Sequence, residues 1–256
     1  MRDSYQEIFN TRGQRYHRAM QRYPHARDAE FNTLLTLSKI PEHAILADIP
    51  AGGCYLNGYL SETVTVYSVE TSRAFLSSCP KQRRNQPILT DSLFNIPIRN
   101  GSIDRIFSLA GLHHITDREP VYKEMAQLLK PNGLLAIADV ERGSGVARFL
   151  NGFVNQHNPM GHRGHFLDHT DTAQLNALGF IRQQNETKPC PWYFDNRAAM
   201  VNFCSDLFGL DTSLPMDSVL DALYETVGFD ENHQGITLNW ALWHMVALTP
   251  DTHNSE

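Results

Sequence analysis

A doubly wound α/β fold with a mostly parallel sheet is the architecture that this 256-residue sequence predicts, and three observations carry it. First, the apolar run Ala44 to Ala47 ends in Asp48 and enters a tight small-residue turn, Pro50-Ala51-Gly52-Gly53, before a helical-looking segment from Tyr55: strand, turn, helix. Second, strand-like and helix-like stretches alternate from residue 44 onward, the order that builds a parallel sheet. Third, Asp48, Glu70, Asp91, Ser108, His113 and Asp139 all fall at or just beyond the ends of predicted strands. In a parallel sheet those ends share one edge, so residues scattered in sequence converge in space.

The elements follow in order. Residues 4–23 read as a helix carrying Tyr5, Phe9, Arg12, Tyr16, His17, Met20 and Tyr23, stopped by Pro24, and Ala26 to about Ser38 reads as a second amphipathic helix. Either these helices lie across the carboxyl edge of the sheet as a lid, or they cover one of its faces. Strand one is 44–49, strand two Val64 to Val69, strand three Pro87 to Thr90 and strand four Ile103 to Leu109. Asp117 and Pro120 open a helix with Val121, Met125, Leu128 and Leu129 on one face, and Pro131-Asn132-Gly133 breaks it before strand five, Gly133 to Asp139. Val146, Phe149, Leu150, Phe153 and Val154 mark a further helix, Gly161-His-Arg-Gly-His165 a loop, and Thr170 the cap of a helix ending at Gly179. A strand region runs from Phe180 to Tyr193, helices fit 197–209 and 216–227, and Ile236 to Leu248 suits a final strand. The chain thus divides, as one domain over 1–256, into an N-terminal helical part (1–40), a core (44–195), a helical insertion (196–233) and a last strand (234–249), with a frayed tail over 250–256.

Composition bounds the function. Hydrophobic residues at 41% and charged residues at 20% suit a globular core, and a net charge of −6 provides no global field for nucleic acid. Cys54, Cys79, Cys190 and Cys204 form no CxxC pair and read as reduced thiols. With no apolar run of signal-peptide or membrane-span length, the expected location is the cytoplasm.

At Ala47-Asp48-Ile49-Pro50-Ala51-Gly52-Gly53, Val69-Glu70, Asp91-Ser92, Ser102 to Ile106 with Leu112-His113-His114, and Leu129 to Leu135, the chain resembles the class I S-adenosylmethionine-dependent methyltransferases of the small-molecule type. The resemblance covers about 44–182 well and the flanks loosely. It implies a seven-stranded Rossmann-like sheet with the last strand antiparallel. It also implies S-adenosylmethionine as cofactor, held by Asp48, Pro50, Ala51, Gly52, Gly53, Glu70, Thr71, Asp91, Ser92, Leu93, Ser108, Leu109 and Ala110. In that scheme Glu70 accepts from the ribose hydroxyls, Asp91 from the adenine amino group, and Asp48 holds the amino-acid end. The chemistry of the residues agrees: glycine at 52 and 53 admits close approach of a ligand, and an ionised carboxylate is an acceptor-only group suited to a diol. The chain departs from the family's DxGxGxG pattern at Pro50 and Cys54, where the first and third glycines are usual. A pyrophosphate loop needs those glycines more than a methyl-donor loop does, so the departures count against a nicotinamide or flavin.

The expected reaction is methylation of a small molecule at O, N or C. His113 and His114 are candidates for a base or for acceptor positioning, and Tyr16, His17, Met20, His162, His165 and Tyr193 for contact with the acceptor. Trp192, Phe203, Phe208, Trp240 and Trp243 are either acceptor-pocket walls or core. His162, His165 and His169 are too loosely spaced to predict a metal, and none is expected. Partners are expected to be small molecules, with neither nucleic acid nor membrane. The alternatives are a cofactor-binding enzyme that cyclises or eliminates without methylating, and a binding module without activity.

Overall fold

The structure is a computed structural model that describes residues 4–80 and 84–251. Among these residues the centre is a seven-stranded sheet in the order β3-β2-β1-β4-β5-β10-β6. Its strands are β1 (Ile45–Asp48), β2 (Thr65–Glu70), β3 (Asn85–Leu89), β4 (Ile103–Leu109), β5 (Leu129–Asp139), β6 (Ile181–Pro189) and β10 (Ala241–Leu248). β1 to β5 pair in parallel, and β10 runs antiparallel between β5 and β6. β1 and β4 therefore lie at the middle of the sheet, where the strand order reverses. That crevice is where open α/β sheets hold ligands.

Both faces of the sheet are covered. Val121, Tyr122, Met125 and Leu128 of α4 (Glu119–Leu128) and Leu175 of α7 (His169–Ala177) bury one face, with Ala47, Ile106, Leu135 and Ile137. On the other, Phe31 and Leu34 of α2 (Asp28–Ser38) pack with Leu46, Val66, Phe107 and Ala136. Helices α8 (Arg197–Phe208) and α9 (Met216–Thr226) extend that core through Met200, Phe203, Leu220 and Leu223. α1 (Ser4–Arg22) docks on α8 and on the short helix α3 (Arg73–Leu76), and so crosses the carboxyl end of β2. After β5 the chain enters α5 (Gly145–Arg148), which continues through a π-helical turn, Phe149–Val154, into α6 (Asn155–His157).

Several local expectations are corrected. The segment after the glycine turn is a 3-10 turn, Tyr55–Tyr59, rather than an α-helix. Pro131-Asn132-Gly133 does not separate helix from strand: α4 ends at Leu128, β5 begins at Leu129, and these residues lie inside β5 as an irregularity of register opposite the Ile103–Arg105 stretch, with Asn132 at φ 58°. Asp168, not Thr170, caps α7, because its carboxylate accepts from the Thr170 N–H while Asp171 closes a capping box. The stretch 180–193 splits into β6 and β7 (Trp192–Phe194), and the region read as a helical insertion also holds β8 (Phe229–Asn232). With β9 (Gly235–Leu238), β7 and β8 form a separate three-stranded sheet in the order β7-β9-β8. Trp240 ends that sheet and stacks on Trp192, ring centroids 4.1 Å apart, before β10 begins.

One buried ion pair ties the site-bearing loops to this frame. Arg118 donates to both oxygens of Asp171, Nε at 2.6 Å and Nη2 at 2.9 Å, while the Tyr122 hydroxyl and the Asp168 N–H donate to the same carboxylate at 2.9 Å each. Arg118 Nη1 then donates to the carbonyls of Ile115 and His165, one on each of the two histidine-bearing loops. Removing one partner of a pair this buried strands the other charge. Asp171→Ala is expected to cost about 3–5 kcal/mol in chemical denaturation, whereas Thr170→Ala, which leaves the cap intact, is expected to stay within about 0.5 kcal/mol of the parent.

Candidate functional site

The site grows from the end of β1. Asp48 is buried, in register with Ser68 of β2 and Phe107 of β4, and the chain leaves it through a cis Ile49–Pro50 bond into Ala51 and Gly52. Gly52 has φ 55°, and a Cβ there would point into open space. Beneath it, the buried carboxylate of Glu70 accepts four hydrogen bonds: from the Gly52 N–H and the Tyr5 hydroxyl on one oxygen, both at 2.8 Å, and from the Thr71 and Ser72 N–H groups on the other, both at 2.7 Å. Burial lifts the Glu70 carboxyl to about 7, and these donors hold it from rising further. Burial, and then the charge of Glu70, push Asp48 well above the usual carboxylate range. A cleft opens over this loop, lined by Asp48, Pro50, Ala51 and Gly52, by Leu109, Ala110 and Gly111 at the end of β4, by Tyr5, Phe9 and Tyr16 of α1, and by Phe75. Gly111 is required there: a Cβ would stand 2.5 Å from the Pro50 ring.

A second chamber adjoins the first and shares Phe9, Tyr16, Arg27 and Ala110 with it. Its walls are aromatic and apolar, with Trp192, Phe208, Trp240 and Leu150. Its polar groups are Arg12, the Arg27–Glu30 pair, His113, His114 and His162. Arg27 and Glu30 are both buried, with Arg27 Nε donating to Glu30 Oε2 at 2.9 Å and the Trp192 indole donating to Oε1 at 2.6 Å. Arg27 also donates to the Tyr16 hydroxyl. Arg12 differs: Nη1 donates to the Phe208 carbonyl at 2.8 Å, its guanidinium lies over Phe9, and its Nε is buried with no hydrogen-bond partner. Burial lowers its pKa to about 10, which leaves it a cation at neutral pH.

The three imidazoles come from two loops. His113 and His114 lie in a 3-10 turn, Leu112–His114, where the chain leaves β4; His162 lies in the loop after α6. The His113 ring meets Asp139 Oδ1 through Nδ1 at 2.6 Å, and Asp139 also accepts from the His113 and Val140 N–H groups. Burial opposes the Asp139 charge, but His113 and these donors outweigh it, so its carboxyl titrates below the usual range. The His162 ring meets Asn151 Oδ1 through Nδ1 at 3.1 Å, and the His162 N–H donates to Asn155 Oδ1 at 2.9 Å. Asn151 belongs to the π-helical turn, a local unwinding frequent at functional sites. His114 and His162 are pushed well below the ordinary histidine pKa, first by burial and then by the positive charge of neighbours that include His113 and Arg12.

Of the sequence-derived cofactor candidates, the structure gathers Asp48, Pro50, Ala51, Gly52, Leu109 and Ala110 around the first cavity, with Glu70 and Thr71 directly below Gly52. Gly53 and Ser108 stand behind this wall. Asp91, Ser92 and Leu93 form a turn beyond β3 and line neither cavity: Asp91 is exposed, and the Ser92 N–H donates to Thr90. Among the acceptor candidates Tyr16, His113, His114 and His162 line the second chamber. His17 is held outside it by the Tyr55 hydroxyl at 3.1 Å, and Met20 packs in the core. His165 faces Thr116 on the surface, and Tyr193 is 54% exposed. Arg12, Arg27 and Glu30 escaped the reading of the sequence. The signal was present in α1, where Tyr5, Phe9, Arg12 and Tyr16 recur at helical spacing, so that an arginine sits inside an aromatic face.

The four-thiol expectation is corrected here: Cys54 and Cys79 form a disulfide, Cα atoms 5.1 Å apart, while Cys190 and Cys204 are free and buried. Sequence distance hid the pair, since only the β1–β2 packing brings the loop after β1 beside the end of α3. Cys54 has φ 59°, a left-handed conformation that favours glycine, and its N–H donates to Ala51. The bridge thus holds, through a side chain, a backbone conformation that a third glycine would adopt freely.

Residues 47–137 match the family model of the methyltransferase domain. Over 102 residues, 38% of the chain, it is 32% identical to the tRNA (carboxymethyluridine(34)-5-O)-methyltransferase ALKBH8 of Mus musculus; over 52 residues, 20% of the chain, it is 42% identical to methyltransferase GfsG of Streptomyces halstedii. The aligned segments span only 15% and 18% of those two relatives. In structure the chain is similar to phosphoethanolamine N-methyltransferase 2 of Haemonchus contortus, solved in complex with S-adenosyl-L-methionine, with a TM-score of 0.65 at 13% identity over 97% of this chain and 60% of that one. The 47–137 segment is thus similar to a methyltransferase domain, and the chain shares the fold of that solved structure. Among the described residues no helix is long and apolar enough to cross a membrane.

The disulfide closes a span of 25 residues that begins just after the glycine turn and contains the Tyr55–Tyr59 turn, β2 and α3. A bridge of that span contributes about 3 kcal/mol. Reduction, or the double variant Cys54→Ser with Cys79→Ser, is expected to lower the melting temperature by roughly 6–12 °C for a chain of this size; a melt unaffected by reductant would show that the loop is held by packing alone.

Proposed function

We propose that this chain is an S-adenosylmethionine-dependent methyltransferase whose acceptor is a small molecule with an apolar or aromatic body, a negatively charged group, and a hydroxyl or amine to be methylated. The observation that carries the reading is the adjacency of two chambers with different chemistry, one over the glycine loop and one among imidazoles, with Phe9, Tyr16, Arg27 and Ala110 common to both. When bound, the cofactor supplies an electrophilic methyl group on a sulfonium, whose C–S electron pair stays with sulfur on transfer.

The residues present fit that cofactor. The open space beside Gly52 is a cradle that a Cβ would fill, and Asp48 faces the same cavity. Glu70 presents the acceptor-only carboxylate that a ribose diol needs. All four of its hydrogen bonds are already made, so the Tyr5 hydroxyl is the donor a ribose hydroxyl would replace, the other three being backbone.

On the acceptor side, Arg12 is the cation of the chamber that lacks a carboxylate partner among the described residues, since Arg27 is neutralised by Glu30. A buried guanidinium with an unused Nε favours an anionic ligand. The aromatic walls bury an apolar body. His113, its Nδ1 committed to Asp139, keeps Nε2 for the proton of an acceptor hydroxyl or amine, which leaves as the new methyl bond forms. The aromatic lining of the chamber and a net charge of −6 favour a small acceptor over RNA.

Two outcomes are expected. Glu70 titrates near 7 and binds the diol as the ionised form, so cofactor affinity measured by calorimetry falls as pH drops through about 7: about tenfold weaker at pH 6 than at pH 8. In Glu70→Gln the affinity is low and this pH dependence is absent; a parent protein that binds equally at both pH values, or not at all while folded, overturns the assignment. His113→Gln is expected to lower the methylation rate by about 10²–10⁴-fold with the cofactor dissociation constant unchanged, read once an anionic acceptor has been found by screening.

A further inference from the structure

We propose that His113, His114 and His162 form a binding site for one divalent transition-metal ion of the zinc type, with an open coordination position facing the acceptor chamber. The inference rests on the reading of that chamber as the acceptor site and deepens it by naming the atom that would be held: an oxygen of the acceptor.

Geometry carries it. Among the described residues, one ring nitrogen from each of these buried histidines lies within 4.8 Å of the other two. Their ring centroids are 4.1 Å apart for His113 and His114, 5.5 Å for His113 and His162, and 5.3 Å for His114 and His162. Zinc–imidazole bonds of about 2.0–2.1 Å in tetrahedral geometry put ligating nitrogens about 3.3 Å apart. Closing the cluster to that size asks for a shortening of at most about 1.5 Å between any two of these nitrogens.

The surroundings also have the form of a metal site. His113 Nδ1 is bonded to the Asp139 carboxylate, the partner that fixes ring orientation and raises ligand basicity in carboxylate–histidine–metal arrangements. His162 Nδ1 is bonded to Asn151 Oδ1, and the identity of that oxygen is fixed independently: the Gly164 N–H donates to it at 2.7 Å while Asn151 Nδ2 donates to the Gly164 carbonyl at 2.9 Å. The His162 Nδ1 therefore carries hydrogen and Nε2 carries the lone pair. With the His113 ring oriented by Asp139 in the same sense, at least two lone pairs are turned toward one small space. Converging acceptors repel one another unless an electrophile sits between them. Three protein imidazoles and one free position are a donor set that suits zinc in a catalytic site.

A bound ion changes the role of His113 from direct proton acceptor to ligand. Acidification of an acceptor hydroxyl would then come from the ion. Arg12, in the same chamber, would hold a second, anionic part of the acceptor.

Tag-free full-length protein titrated with Co²⁺ is expected to take up one ion per chain, with visible d–d absorption of a low-coordinate site, and to release it to Zn²⁺. His162→Ala is expected to weaken uptake by at least about 100-fold, and Asn151→Ala, which keeps all three ligands, by about 10–100-fold, with folding followed by circular dichroism. If His162→Ala does not fold, Asn151→Ala decides. The inference is overturned if the folded parent takes up no stoichiometric Co²⁺, or if uptake is the same in the folded variants. S-adenosylmethionine binding measured on the same samples separates the two readings: cofactor binding without metal uptake removes the metal site alone, and metal uptake without cofactor binding removes the reading of the glycine-loop cavity.

Discussion

The Glu70 carboxylate is the interaction on which the site depends. It is buried at the end of β2, and its four donors come from three places: the glycine loop through Gly52, the start of the β2–α3 connection through Thr71 and Ser72, and α1 through Tyr5. An ion in this position costs several kcal/mol to desolvate, and the four donors hold its pKa at about 7 against that cost. Its neighbours extend the same seam: Gln6 donates to the Thr71 carbonyl, and the Ser72 hydroxyl donates to Asn10. One carboxylate thus sets the path of the loop and the seat of the helix above it.

That seat divides the interior. Because α1 crosses the carboxyl end of β2 and packs on α8, its inner face passes between the loop after β1 and the aromatic wall from β7 and α8. Phe9 and Tyr16 therefore border both chambers, and Tyr5 and Arg12 border one each. A helix that touched only the sheet face would leave a single open crevice. The partition turns the crevice into two connected volumes, one with carboxylates at its base and one with a guanidinium and imidazoles in its walls.

The sheet was legible in the sequence because its signals are local: apolar runs, turns at their ends, and acids or histidines just beyond them. β4 falls at Ile103–Leu109 as expected, and the order and the antiparallel last strand follow the family pattern. What was hidden depends on distance. Nothing near Cys54 points to Cys79, and nothing near His113 points to His162, which arrives through a π-helical turn that periodicity does not announce. Trp240 looked like part of a continuous strand because its neighbours are aromatic and alternating; stacking on Trp192 gives it a different task and splits β9 from β10. Pro131-Asn132-Gly133 looked like a break for the converse reason, since turn residues can also be absorbed as a bulge inside a strand.

Charge balance links the two chambers to one another. Around the glycine loop, burial raises the cost of ionising both Asp48 and Glu70, and the charge of Glu70 raises that of Asp48 further. A ligand that brings positive charge to that cavity relieves both. Across the Phe9–Tyr16 boundary the sign reverses: among the described residues Arg12 has no carboxylate partner, and the Asp139 charge is spent on His113. A ligand with negative charge is favoured there. Under the proposed reading, a cationic cofactor on one side and an anionic acceptor on the other would attract across the shared wall. Preorganised charge of this kind acts without reorganising during the reaction. It also gives the buried ions, which cost stability in the empty protein, a physical reason to be where they are.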